Sequence, residues 1–90
     1  MREFFTEEGL KKTLSKLLKK DPETYRVLMN KMEEIITIKD VHHYKNLRKP
    51  LNHLKRVHVK GPFVLVFKYI ESENKVVFYD FDHHDNIYKK

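Results

Sequence analysis

Two stretches of the chain hold side chains that can move protons near neutral pH. In Lys55-Arg56-Val57-His58-Val59-Lys60-Gly61, a histidine stands between two cations at alternate positions. In Asp82-His83-His84-Asp85, followed by Asn86-Ile87-Tyr88, two adjacent histidines stand between two aspartates. Imidazole titrates close enough to neutrality to serve as acid or base. If the first stretch is a strand, side-chain alternation puts Arg56, His58 and Lys60 on one face and Val57 and Val59 on the other. Such a face can hold a phosphodiester and move a proton beside it. An outward histidine on a basic strand can equally be idle. The second stretch admits three readings: a solvated tail, a metal site, or the proton-handling end of an active site. Neutral imidazoles with carboxylates suit zinc. Neighbours such as His83-His84, however, rarely point at one ion, and His42-His43 repeats the objection. No His-x-x-x-His pair falls on an expected helix. The expectation is therefore no metal and no cofactor, with His42, His43, His53 and His83 as surface or linker residues.

The charge pattern says what such a face would meet. Residues 41–70 carry seven Lys/Arg and no Asp/Glu, whereas residues 1–40 carry nine basic and eight acidic side chains. Residues 71–90 carry three basic and five acidic ones, so the middle third supplies the whole excess of the +6 chain. A basic region of this kind suits a polyanion. Arg48, Lys49, Lys55, Lys60 and Lys68 are its candidate polyanion contacts, and a merely solvated basic face is the plain alternative. The chain has no cysteine, hence no disulfide framework or thiolate metal cage, which agrees with a cytoplasmic protein. No apolar run approaches the roughly 18 residues of a membrane span. Met1-Arg2 leads into a mixed run rather than an apolar leader. Neither a membrane nor a small-molecule substrate is expected.

The elements that must position these residues read as two helices and then a sheet, one domain over 1–90. Thr6 with Glu7 and Glu8 reads as an N-cap with acidic first-turn residues. Leu10, Leu14, Leu17 and Leu18 then form one apolar helical stripe. Asp21-Pro22-Glu23 breaks and restarts the chain, with Asp as N-cap and Pro at the first helical position. Tyr25, Leu28, Met29, Met32, Ile35 and Ile36 continue at helical spacing, so the pair should be a helical hairpin. A polar connection over 39–49 leads to three β-rich runs, 55–60, 63–70 and 75–81. Gly61-Pro62 and the short stretch 71–74 separate them, which implies an antiparallel meander. Residues 2–5 are a possible edge strand. The expected fold is α+β, an N-terminal helical hairpin packed on a small curved antiparallel sheet of three to four strands. The run Phe63-Val64-Leu65-Val66-Phe67 is apolar on both faces and should be the most buried strand.

Taken together, "NLRKPLNHLKRVHVKGPFVLVFKY" and "VVFYDFDHHDNIYKK" resemble the RelE/ParE superfamily of bacterial and archaeal toxins, above all its RelE and YafQ-like ribonuclease branches. The resemblance spans the chain: a helical hairpin, a basic linker, a strand ending V-x-V-x-G, the V-L-V-F strand, and a closing H-x-x-x-Y. It implies a ribosome-dependent mRNA endoribonuclease of a type II toxin–antitoxin system, cutting in the A site through the 2′-hydroxyl and without metal. It places His58 at the family's catalytic His or Arg, and His84 at the YafQ-like C-terminal histidine. Tyr88 matches the aromatic that orients the scissile nucleotide, and Lys45 falls near a functional linker position. Arg56 and Lys60 would neutralise the developing charge, and Phe63 would stack on a base. The implied partners are a cognate antitoxin, the ribosome and mRNA. Two positions depart from the pattern. Val64 stands where many RelE-type members have arginine, and Pro62 where YafQ-like members have aspartate. A non-catalytic RNA-binding or antitoxin-binding module, or a ParE-type gyrase inhibitor, remains the alternative.

Overall fold

The break at Asp21-Pro22 organises the N-terminal half. In the computed structural model, which describes residues 1–88 apart from the side chain of Tyr88, helix α1 (Glu8–Lys20) ends where helix α2 (Pro22–Thr37) begins. The Asp21 carboxylate accepts the Thr24 backbone N–H at 3.2 Å and the Thr24 hydroxyl at 2.6 Å, capping α2 as anticipated. These bonds hold its carboxyl below the usual aspartate range. The start of α1 differs from the sequence expectation. Thr6 is the last residue of strand β1 (Glu3–Thr6), and Glu7 takes the cap position without a side-chain bond. The ladder claims Thr6, which pairs with Phe78, and the Glu7 N–H is satisfied by the Phe78 carbonyl at 3.0 Å. Leu10 is buried and Leu14 and Leu17 pack against the core, but Leu18 is 50% exposed. The stripe is one leucine narrower than its spacing suggested.

Strands β2 (Lys55–Lys60), β3 (Phe63–Ile70) and β4 (Lys75–His83) form the expected antiparallel meander. Gly61 takes φ +56° at the first turn, a conformation that suits glycine, and Asn74 takes φ +49° at the second. The edge strand exists, yet β1 runs parallel to β4, so the sheet is mixed, with order β1-β4-β3-β2. A parallel neighbour needs a long connection, and the helical hairpin, the linker, β2 and β3 all lie between β1 and β4. Residues 84–88 close the described chain as a short helix, α3 (His84–Tyr88).

β3 is buried on both faces, as its composition demanded: Val64, Leu65, Val66 and Phe67 are all buried. Each such side chain contributes roughly 1.5–3 kcal/mol by leaving water. Leu65 and Phe67 face the helices, meeting Leu10, Leu28, Met32, Ile35, Val76 and Phe78 in the main core. Val64 and Val66 face the other way, into a second cluster with Leu47 and Ile87, flanked by Leu51 and Leu54. The linker is therefore folded over the far side of the sheet. Its first part is tied to the helices: Tyr44 sits edge-on to Phe67 at 5.6 Å and its hydroxyl donates to the Glu34 carboxylate. Its second part follows the free edge of β2, with Arg56 N–H donating to the Lys45 carbonyl and Leu47 N–H to the Leu54 carbonyl, both at 2.9 Å.

Candidate active site

The far face of the sheet carries the polar row. Across β2, β3 and β4, Arg56 lies beside Val66 and Asp80, and His58 beside Val64 and Asp82. Residues two apart on a strand share a face, so Arg56 and His58 project together past the valines of the second cluster. The C-terminal segment is drawn to them by one backbone bond. The His84 N–H donates to the Pro62 carbonyl at 2.9 Å, tying the end of β4 to the turn that follows β2. Asp82 sets the start of α3, its carboxylate accepting the His83 N–H at 2.7 Å and the Asn86 amide at 3.0 Å. The outcome is that the rings of His58 and His84, 26 residues apart in the chain, lie 6.5 Å apart centre to centre. His58 is exposed and His84 half-buried. That spacing leaves room for a small group between them.

Arg56 also lines a cleft of about 520 Å³, with Arg48 and Lys49 over the apolar floor of Leu47 and Leu51. Among the described residues no acidic side chain lines it. Lys45 is exposed next to it, its carbonyl held by the Arg56 N–H. The folded-over linker thus brings Lys45, Arg48 and Lys49 to the same side of the sheet as Arg56 and His58. The contiguity of these cations is a product of the second cluster.

Other candidates are placed elsewhere. Lys55 is only 8% exposed, and its ammonium donates to the Tyr44 carbonyl at 3.2 Å and to Asn46 Oδ1 at 2.9 Å. It is a strut inside the linker, not a free cation for RNA. The alternation that points Arg56 and His58 outward also turns Lys55 to the helix side, a signal the count of charges ignored. Lys60 was expected on the His58 face, but a register shift between His58 and Lys60 breaks the alternation. Its ammonium lies 3.8 Å from the Glu23 carboxylate at the start of α2. Phe63 shares the helix-side alternation of Leu65 and Phe67. Its ring stacks on Phe81 at 5.7 Å, leaving it 40% exposed at the end of the sheet rather than beside His58. Lys68 lies on the far face but four residues along β3 from Val64, roughly 13 Å away. Tyr88 ends α3, and its side chain lies outside the described residues. Val64 is wholly buried, so that position offers the site no functional group. Asp80, Asn46 and Asn86 were not singled out from sequence, and Asp82 was weighed only as a metal ligand. Alternation about the inward Phe81 and the Asp82–Asn86 spacing of four were the signals available.

His83 and His84, although adjacent, turn their rings to the same side. Their rings stack at 4.7 Å with an interplanar angle of 26°. Among the described residues, His83, His84 and Asp85 form the one group of three or more side chains able to hold a metal, with donor atoms all within 4.8 Å of one another.

Solved structures share the fold. The fold matches a metal-bound toxin from Helicobacter pylori at a TM-score of 0.77 and 21% identity, covering 97% of this chain and 99% of that one. It matches YafQ from Escherichia coli at 0.72 and 16%, covering 98% and 99%. The RelBE2 toxin–antitoxin complex of Mycobacterium tuberculosis gives 0.73 and 17%, covering 91% and 90%. No family model matches. Among curated proteins, "Putative toxin RelE4" of Methanocaldococcus jannaschii is 55% identical over 82 residues, 91% of this chain and 85% of that protein. An uncharacterized protein of Methanosarcina mazei is 47% identical over 73 residues, 81% of this chain and 83% of its own length. The chain belongs to the RelE family of toxins of type II toxin–antitoxin systems.

Proposed function

We propose that this toxin is a ribosome-dependent mRNA endoribonuclease that cuts by metal-independent transesterification. The observation that carries the reading is the approach of His58 and His84 to 6.5 Å on a face that also presents Arg56. In the proposed reaction the 2′-hydroxyl attacks the adjacent phosphorus as His58 accepts its proton. The P–O5′ bond breaks as His84 donates a proton to the leaving 5′-oxygen, leaving a 2′,3′-cyclic phosphate and a 5′-hydroxyl. Arg56 offsets the charge that builds on the non-bridging oxygens, the electrostatic part of catalysis. Lys45, Arg48 and Lys49 line the path of the RNA backbone along the cleft, and Tyr88 orients the nucleotide. The partners follow from the same reading: the ribosome with its mRNA, and a cognate antitoxin. That antitoxin would be acidic or amphipathic where it covers residues 41–70, in a contact burying over about 1,000 Å².

His84→Ala should lower cleavage of ribosome-bound mRNA by about 10²–10⁴-fold, the usual worth of a positioned proton donor, without altering the fold. Cleavage at the wild-type rate would overturn the assignment. One observation favours the non-catalytic alternative: Lys55 is buried and Lys60 is engaged by Glu23, which leaves Arg56 as the strand's one cation beside His58. Wild-type protein that binds programmed ribosomes and leaves the message intact would establish that alternative.

A further inference from the structure

We propose that His83, His84 and Asp85 bind one divalent transition-metal ion of the zinc class, and that the ion silences the site instead of serving it. The silencing half rests on the nuclease reading of His84; the binding half does not. Adjacent residues of a strand point to opposite faces, which is why a shared ion looked improbable from sequence. Here β4 ends at His83 and α3 begins at His84. The change from extended to helical backbone swings the second imidazole to the side of the first, and the rings stack at 4.7 Å. Asp85, one residue into the turn, closes the group. Its carboxylate oxygens lie 3.1 Å from His84 Nδ1 and 3.7 Å from His83 Nδ1. Its backbone N–H also donates to His83 Nδ1 at 3.1 Å, holding that ring beside the carboxylate.

Two imidazoles and a carboxylate are a donor set that zinc-class ions favour, with a fourth position left to water. Tetrahedral N and O ligands at about 2.0–2.1 Å stand roughly 3.4 Å from one another. The donors already lie within 4.8 Å, and small rotations of half-buried and exposed side chains close the difference. The local charge agrees. Asp80, Asp82 and Asp85 fall within six residues of a chain that is otherwise strongly basic. That spot favours a cation where its surroundings favour phosphate. An ion held by His84 takes up a ring nitrogen of the proposed proton donor. It also sits near His58, in the space a scissile phosphate must enter.

The test uses tag-free protein, zinc chloride as the probe, and the variant His83→Gln, whose residue has no part in the proposed reaction. Calorimetric titration should show one zinc per wild-type chain and a constant at least about tenfold weaker for His83→Gln, as expected on losing a metal-site contact. Cobalt(II) should give the intense visible absorption of a four-coordinate site in the wild type only. Zinc at the saturating concentration should stop cleavage of ribosome-bound mRNA by the wild type, and a zinc-selective chelator should restore it. His83→Gln should cleave at the wild-type rate and go on cleaving in zinc. No stoichiometric zinc, or equal binding by His83→Gln, would overturn the site. Zinc bound through His83 with cleavage undiminished would uphold the site and overturn the silencing, and with it the proton role of His84. Protein that never cleaves would fail the nuclease reading alone, since the binding measurements decide the site without it.

Discussion

Ile87→Ala separates the positioning of the site from the stability of the fold. α3 carries His84 at its start and Tyr88 at its end, and Ile87 is its one buried side chain among the described residues, 3% exposed against Leu47, Val64 and Val66. The substitution removes three carbons from that contact. At about 0.8 kcal/mol each, the docking of α3 weakens by roughly 2.4 kcal/mol, which is about 50-fold in its equilibrium. A five-residue helix has no stability of its own, so the loss should appear as local undocking rather than global unfolding. Amide exchange at residues 84–87 should accelerate by up to about 50-fold, and mRNA cleavage should fall, while the thermal midpoint scarcely moves. Val66→Ala, in the same cluster but on the central strand, should instead lower the melting temperature of the whole domain. If Ile87→Ala lowers it as much as Val66→Ala does, or leaves exchange at 84–87 unchanged, α3 is not the detachable clip this reasoning requires.

Lys55→Met should leave the Tyr44 carbonyl and Asn46 without their donor and cost about 1–3 kcal/mol in urea unfolding. It should not alter the salt dependence of ribosome binding, and a shallower dependence would mean that Lys55 does reach RNA. Reversing Arg48 and Lys49 to Glu together should flatten the plot of log affinity against log salt by roughly 1.4–1.8; an unchanged slope removes the cleft from the RNA path. The Tyr44 hydroxyl first, and Lys31 after it, hold the Glu34 carboxyl below the usual glutamate range against the opposing effect of burial. Because the folded value is the lower one, this contact stabilises fully above the ordinary glutamate range and is lost as pH falls through the folded value. Wild type should therefore lose more stability than Glu34→Gln between about pH 6 and 3, and parallel pH profiles would refute the contact. Tyr44 is pushed up, chiefly by burial and then by Glu34. Its share of the contact persists up to the ordinary tyrosine range of about 10 and is lost only as pH rises beyond it.

Much of this protein is written in short-range patterns. The cap and proline at Asp21-Pro22 start a helix wherever they occur, because they satisfy or omit the N–H groups that a helix leaves unpaired. The two-sided apolar run of β3 can only be an interior strand. Alternation aims Arg56 and His58 together, and the acid-free stretch 41–70 marks a basic region before any coordinate is known. What escaped this reading depends on residues far apart in sequence. The direction of β1 appears only in its pairing with β4, a strand some 70 residues further on, and not in Phe4 or Phe5. The bulge that releases Lys60 to Glu23 arises in the pairing of β2 with β3. The burial of Lys55 follows from the linker running along the free edge of β2, where the Tyr44 carbonyl and Asn46 take up its ammonium and convert a surface cation into a strut. The approach of His84 to His58 hangs on a bond to the Pro62 carbonyl, and its stacking on His83 on the point where strand becomes helix. Period and propensity act over a few residues and can be counted along a string. Register, bulges and the meeting of two histidines 26 residues apart are set by which surfaces can be buried together, and only the packed chain decides that.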